Sequence, residues 1–269
     1  MNQNQELKLQ LLKQFGISDE LKTVDFCREA YKFLIEGDVM MLKGVNAVTG
    51  EVIVERVPLT PTHSKVVAVD LGLPSGTKWC DRNVGAKSPE DYGAYFSWGN
   101  IEPHYSKENC EHEWGDCENA FDYTFDEDEY NETKGGKITE KDLVDDCLPS
   151  ERDAATQNMG AEWEMPTEEQ FKELYDNCTW TRKVRNGVNG YVVKSRINGA
   201  EIYFPCSGGG SGTSWNLRGS YGFCWSASLY SATHGRSLYF YSGSVNPQDY
   251  NYRFYGFAVR PVQNIVLPK

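Results

Sequence analysis

The chain has 269 residues, 39% of them hydrophobic and 25% charged, with a net charge of −12. That is enough chain and apolar content for a buried core, in one large domain or in one large and one small. The acidic balance argues against binding along a nucleic-acid backbone, which needs a basic face, so nucleic acid is not an expected partner.

At the N-terminus, "MNQNQELKLQLLKQFG" carries Leu7, Leu9, Leu11, Leu12 and Phe15 in an approximate helical stripe closed by Gly16. It has neither the apolar run nor the small-residue cleavage site of a secretion signal. The expectation is synthesis in the cytoplasm, as a phage virion component or as a surface protein whose leader has been removed. Ser18 is placed to cap a second helix running through "DELKTVDFCREAYKFLIEG" to Gly37. "DVMMLKGVNAVTGEVIVERVPL" follows as a hairpin, with a turn near Thr49–Gly50 and alternating Val52 and Val54. The prolines of "PLTPTH" mark a linker. Residues 1–63 therefore read as a small helical and hairpin unit for docking or oligomerisation, and 64–269 as the main domain.

The main domain opens with a strand, a Gly/Pro turn and a second strand in "VVAVDLGLPSGTKWC". From Ile101 to about Asp146 comes a long polar excursion with ten acids between Glu111 and Glu132, expected as a surface loop. "MPTEEQFKELYDNCTW" is a helix, with Thr167 as N-cap, Gln170 completing a capping box, and Phe171 and Leu174 facing inward. Beyond residue 187 lie short strands divided by glycine, among them an Asn-Gly hairpin turn in "INGAEI". No stretch reaches the apolar length of a membrane helix, so membrane insertion is not expected.

Motifs for catalysis are scarce. There is no Gly-x-Ser-x-Gly elbow, and "SGGGSG" lacks the Gly-Lys-Ser/Thr of a phosphate loop and reads as a flexible turn. "CEHEWGDC" has zinc-type ligands at a spacing that fits no standard finger. "FDEDEY" departs from a calcium loop, since Tyr130 stands at the fifth position and no glycine follows at the sixth, and its acids read as solvated. No metal and no cofactor are expected. The eight cysteines are widely and irregularly spaced, and free thiols are expected.

The informative stretch is "GFCWSASLYSATHGRSLYFYSGSVNPQDYNYRFYGFAVRPV", from Gly222 to Val262. Read as a strand, "RSLYFYSGS" turns Leu238 and Phe240 to one face and Ser237, Tyr239 and Tyr241 to the other. Phe257 and Val259 alternate with Ala258 and Arg260 in the same way. "SGSVNPQDYNYRFY" between them is loop-like. Tyrosine with serine, glycine and asparagine is the composition of antibody paratopes, where tyrosine gives a large amphipathic contact at low rotamer cost. A tyrosine-rich sheet surface without a ligand has the same composition.

The blocks "VDLGLPSGTKWCDRNVGA", "YGAYFSWGN", "DAATQNMGAEWEMPTEEQFKEL", "SYGFCWSAS" and "YGFAVRPV", in that order, resemble the major paralogous domain of gut Bacteroidetes. That family has the C-type-lectin fold and is similar to formylglycine-generating-enzyme-like domains. The resemblance spans about residues 66–263. It implies an α+β fold with small twisted antiparallel sheets, flanking helices and long loops. It also implies that the segment of about 225–260 is where diversity-generating retroelements write variation, giving hypervariable ligand-binding proteins of phage tips or bacterial surfaces. Such elements mutate adenines, chiefly in Asn codons, which cannot yield Lys, Glu, Met, Trp or Gln. Residues 229–255 hold no Lys, Glu, Met or Trp, and a single Gln, Gln248; strands and turns also avoid Lys and Glu.

On this resemblance the framework is Trp225, Ser226, Leu238, Phe240, Gly256, Phe257, Val259 and Arg260, with Arg253 also structural. The display residues are Tyr230, Ser231, Thr233, His234, Arg236, Tyr239, Tyr241, Asn246, Asp249, Tyr250, Asn251, Tyr252 and Tyr255, with His234 a surface donor and not a metal ligand. "WSASLYS" carries no Asn-Asp pair for a lectin calcium site. Cys224 stands where the family usually has an aromatic. The enzyme relatives use a reactive cysteine pair, for which Cys206 and Cys224 are the candidates here, with nothing basic nearby in sequence to activate them. The expected function is non-enzymatic recognition of a protein or carbohydrate on a cell surface, with residues 1–63 docking to a virion or surface assembly. The alternatives are a formylglycine-generating-type oxidoreductase and a surface module of fixed sequence.

Overall fold

The computed structural model describes residues 65–106, 121 and 123–263, with the backbone of three strands nearer the N-terminus. The chain divides into two compact units, Met1–Ser64 and Lys65–Lys269.

In the first unit, β1 (Lys32–Glu36), β2 (Val39–Val45) and β3 (Val52–Pro58) form an antiparallel sheet in that order. The expected hairpin is β2–β3. Lys32–Glu36, expected as the end of a helix, is instead a strand. Glu36 pairs with Val39, so only Gly37 and Asp38 connect β1 to β2, a spacing and residue pair that suit a tight hairpin. The helices expected over residues 7–15 and 18–31 lie outside the described residues, as do the hairpin turn and residues 59–63 of the linker.

The second unit is α+β. In chain order its elements are β4 (Ala68–Asp70), β5 (Lys78–Cys80), α1 (Glu127–Glu132), α2 (Ala154–Met159), α3 (Glu168–Asn177), β6 (Cys178–Arg185), β7 (Val188–Ser195), β8 (Glu201–Pro205), β9 (Gly209–Ser211), β10 (Ser214–Asn216), β11 (Tyr221–Leu229), β12 (His234–Tyr241), β13 (Ser244–Tyr252) and β14 (Val262–Gln263). They make antiparallel sheets ordered β14-β5-β4, β6-β7-β8, β10-β9 and β11-β12-β13.

Local chemistry explains the firmest of these. Thr167 and Gln170 form the expected reciprocal capping box of α3, and Phe171 and Leu174 are fully buried. Between β6 and β7, Asn186 and Gly187 both have positive φ, +48° and +80°, as a two-residue hairpin turn demands. The β7–β8 hairpin is looser than "INGAEI" suggested: Ser195 N donates to Ala200 O, and of its Asn-Gly pair only Gly199 has positive φ, +77°.

One core cluster packs Phe171 and Leu174 of α3 against Trp79, Val193, Phe204, Leu238 and Phe240. A second gathers Trp98, Trp163, Met165, Trp225, Phe257 and Val259.

Two loop expectations are corrected. In the acidic excursion, Phe121, Phe125, Tyr130 and Ile138 are buried, and the Tyr130 hydroxyl donates to Trp98 O at 2.8 Å. Its aromatics anchor it while the acids of "FDEDEY" stay outside, Asp126 serving as the N-cap of α1. Residues 107–120, which include "CEHEWGDC", lie outside the described residues. "SGGGSG" is not a flexible turn either: Gly209 and Gly210 sit in β9, where added β-carbons would fall 2.7 Å and 2.6 Å from the Phe257 and Phe125 rings. Glycine is needed there for close approach.

Candidate ligand-recognition surface

The site is built on the sheet β11-β12-β13. Tyr221 pairs with Tyr241, Gly222 with Phe240 and Phe223 with Tyr239. The Phe240 ring lies over Gly222, whose missing β-carbon would fall 1.9 Å from it. The segment expected as a loop, from Ser244 on, is strand β13 through Tyr252. Proline breaks a central strand. Here β13 is an outer strand of this sheet, and Pro247 falls in a bulge where the register slips from Tyr239↔Asn246 to Ser237↔Asp249.

The residues expected as framework are all buried. Leu238 and Phe240 are fully buried. Trp225 Nε1 donates to Phe96 O at 2.7 Å, and Ser226 is buried beside it. Arg260, also buried, donates to Asn83 Oδ1, Cys80 O and Tyr203 O over the Phe204 ring. Arg253 donates to the carbonyls of Gly135, Ile138 and Ala232 and lies 4.5 Å over the Trp98 ring. The alternation expected at 257–260 is absent: Phe257, Ala258, Val259 and Arg260 are all buried, because this segment bridges to Phe96 on one side and to Cys224 of β11 on another.

The display candidates fall into two groups, where one surface was expected. Side chains alternate across a strand, and the bulge adds one residue to β13 only. Tyr239, Tyr241, Asn246, Asp249 and Asn251 therefore share one face, together with Tyr221 and Phe223 of β11. The rings there are half-buried and stacked, with Tyr221–Tyr241 at 5.3 Å and Phe223–Tyr239 at 5.1 Å. Burial, reinforced by Tyr221 and Tyr241, pushes the Tyr239 hydroxyl up to about 12. Burial also raises Asp249, against the pull of its bonds to Tyr250 N–H and Asn251. Ser237, expected outward, is buried and accepts from Asn251 Nδ2 at 3.1 Å. Tyr221 and Phe223 were missed because only cross-strand pairing brings them here.

Tyr230, His234, Arg236, Tyr250 and Tyr252 gather on the other face, beyond the part that α3 covers. Tyr230, Tyr250 and Tyr252 are 44%, 47% and 47% exposed. Tyr230 stacks on Tyr250 at 4.1 Å and 12°. The Arg236 guanidinium lies 4.5 Å over the Tyr230 ring, and His234 is 4.2 Å from Tyr252. In the β11–β12 turn, Thr233 Oγ1 and Ser231 Oγ lie 2.8 Å and 3.4 Å from His234 Nδ1, so two hydroxyls surround this ring nitrogen. Tyr255 is half-buried between Tyr252 and Phe257, at 5.9 Å and 6.0 Å, at the end of the strand.

The five cysteines in the described residues, Cys80, Cys147, Cys178, Cys206 and Cys224, are free. Burial pushes Cys206 up to about 11 and Cys224 up to about 12. Cys27, Cys110 and Cys117 lie outside the described residues. Among the described residues no group of three His, Cys, Asp or Glu could hold a metal ion, and no helix is long and apolar enough to cross a membrane. A cleft of about 620 Å³ lies at the β12–β13 turn, walled by Tyr175, Trp180, Tyr191 and Arg196; none of the display candidates lines it.

No protein-family model matches the chain, no curated protein matches its sequence, and no solved structure matches its fold.

Proposed function

We propose that this is a non-enzymatic recognition protein of C-type-lectin-like fold, a diversity-generating-retroelement variable protein that meets a protein or carbohydrate on a cell surface. One observation carries the reading: Tyr230, Tyr250 and Tyr252 stand close to half-exposed at the end of the same sheet face on which α3 covers Leu238 and Phe240, both fully buried. Large amphipathic rings in an ordered cluster, ringed by Ser231, Thr233 and His234, are what a binding hot spot is made of. Mutual stacking and the Arg236 contact limit the rotamer freedom that these rings lose on binding. Asn251 and the half-buried face around Tyr239 and Tyr241 form a second candidate area on the other side of the sheet.

One further point supports the reading over a formylglycine-generating-type oxidoreductase. Such chemistry needs thiolates, and burial holds Cys206 and Cys224 in the thiol form at neutral pH. No cofactor or metal is required for the proposed role. The unit of residues 1–63 is assigned to docking on a virion or cell-surface assembly.

The experiment is a selection. Binders taken from a random-peptide phage library and from a glycan array on the wild-type protein are re-tested on Y230A/Y250A/Y252A. The reading expects a wild-type binder that the triple variant loses while keeping its fold. Binders retained by the triple variant overturn it. Sequencing the coding region in a population separates a variable protein from a fixed module. Variation at adenines in the codons for Tyr230, His234, Tyr250 and Tyr252, with Leu238 and Phe240 constant, is the expected result; uniform codons would leave only the fixed module.

A further inference from the structure

We propose that Glu168, the first residue of α3 and outside the segment assigned to display, is a positioning residue that sets the pose of the exposed tyrosine cluster. The inference rests on the recognition reading above. Its basis is that one carboxylate contacts two neighbouring strands of the surface, the central β12 and the outer β13. Glu168 Oε2 lies 2.9 Å from Arg236 Nε on β12, and Glu168 Oε1 accepts from Gln248 Nε2 on β13 at 2.7 Å. Arg236 Nη1 closes the triangle by donating to Gln248 O at 3.3 Å.

The grip passes directly to the rings. Arg236, so held, lies over Tyr230, and Tyr230 stacks on Tyr250, so four side chains connect the helix to the outermost ring. The Glu168 and Arg236 side chains are only 14% and 24% exposed, so water screens the pair less than it would a surface ion pair. Gln248 matters for a second reason. It follows the Pro247 bulge, where β13 changes register, so the carboxylate also pins the slipped part of the strand that carries Tyr250 and Tyr252. The backbone N–H of Glu168 donates to Ser228 Oγ on β11 at 3.0 Å, which fixes the helix start on the third strand of the sheet.

A long arginine and a tyrosine freed from this arrangement regain rotamers that must be lost again on binding. Oε1 accepts from Gln248 Nε2, and Oε2 is the charge partner of Arg236 Nε, which makes no hydrogen bond among the described residues; glutamine does not replace glutamate, because it removes the charge and its amide presents a donor to one of the two partners. Glu168→Gln and Glu168→Ala should therefore weaken binding roughly tenfold, while Glu169→Gln, one residue on and exposed, should not.

The test has two arms. In the first, needing no ligand, the protein is labelled with ¹⁵N-arginine and ¹³C-tyrosine. Wild type is expected to give a slowly exchanging Arg236 Nε–H and an ordered Tyr230 ring. Glu168→Gln should lose both with the overall amide spectrum unchanged. An unchanged Arg236 signal in Glu168→Gln overturns the inference. In the second arm the probe is a phage-selected peptide that binds wild type and not Y250A. Glu168→Ala should weaken it, and should add nothing further in an Arg236→Ala background, since both act on the same ring. Additive losses refute the relay through Arg236. Failure to select any such peptide, with the first arm positive, counts against the recognition reading and leaves the positioning role standing.

Discussion

Replacing Arg253 by alanine separates frame from display more sharply than any other single change, because its neighbour Tyr252 is among the most exposed rings of the molecule. Arg253 is 4% exposed and donates to Gly135 O at 2.8 Å, to Ile138 O at 3.2 Å and 3.3 Å, and to Ala232 O at 2.9 Å. Gly135 and Ile138 are buried, so in Arg253→Ala their carbonyls lose these charged donors, Gly135 O keeping its bond from Ile138 N–H, at about 1–3 kcal/mol each. Loss of the cation–π contact with Trp98 adds about 1–2 kcal/mol at a desolvated site. Arg253 Nε is buried without a hydrogen-bond partner among the described residues, and removing it returns about 1 kcal/mol. The net cost is about 4 kcal/mol, and at about 2–4 °C per kcal/mol for a unit of this size the expected fall in Tm is roughly 8–16 °C. The assay is a thermal melt followed by near-ultraviolet circular dichroism, with Tyr252→Ala beside it. Tyr252→Ala should move Tm by less than about 2 °C. An Arg253→Ala protein melting within about 2 °C of wild type, or a Tyr252→Ala protein that falls as far, would refute the reasoning.

Gly222→Ala places a β-carbon 1.9 Å from the Phe240 ring, and should cost roughly 1–3 kcal/mol by overpacking in a denaturant titration, where most surface glycine changes cost less. Cys206 and Cys224, held up at about 11 and about 12, should resist an aromatic disulfide reagent at pH 8 in the folded protein and react at once when it is denatured. Cys80 and Cys178, at about 11, share that shift. The unfolded chain gives up these thiol protons near pH 8.5 and the folded one only near 11 to 12. Their stabilisation is thus full below the unfolded value and is lost as pH rises through the folded one. Melts at pH 8, 9.5 and 11 should show a falling Tm, and a less steep fall in a Cys206→Ala/Cys178→Ala protein, where Cys80 and Cys224 remain; a Tm independent of pH contradicts the burial of these thiols.

What was legible in the sequence was local. The capping box of α3 is a four-residue pattern, and the Leu238/Phe240 alternation needs only one strand. The structural roles of Arg253 and Arg260 followed from the resemblance but their burial did not, and the geometry around each shows what the burial serves. What was not legible depended on partners far away in the chain. Tyr221 and Phe223 join the surface only through the register of β11 on β12. The division into two faces turns on a bulge in β13, and Pro247, read locally, pointed to a loop. Ser237 looks outward on its own strand yet is covered. "SGGGSG" looks flexible until Phe125 and Phe257 are seen to press on it. In the acidic excursion, solvated carboxylates outnumber the aromatics that bury it. Lys32–Glu36 is periodic enough for a helix, and only pairing with β2 makes it a strand.

The most direct test of the central claim is where a selected binder touches the protein. Chemical-shift mapping of the wild-type chain with a phage-selected peptide should perturb Thr233, His234, Tyr230, Tyr250 and Tyr252 together and leave the cleft around Tyr175, Trp180 and Arg196 unmoved. Perturbations gathered at that cleft, with the exposed tyrosines unchanged, would contradict the account.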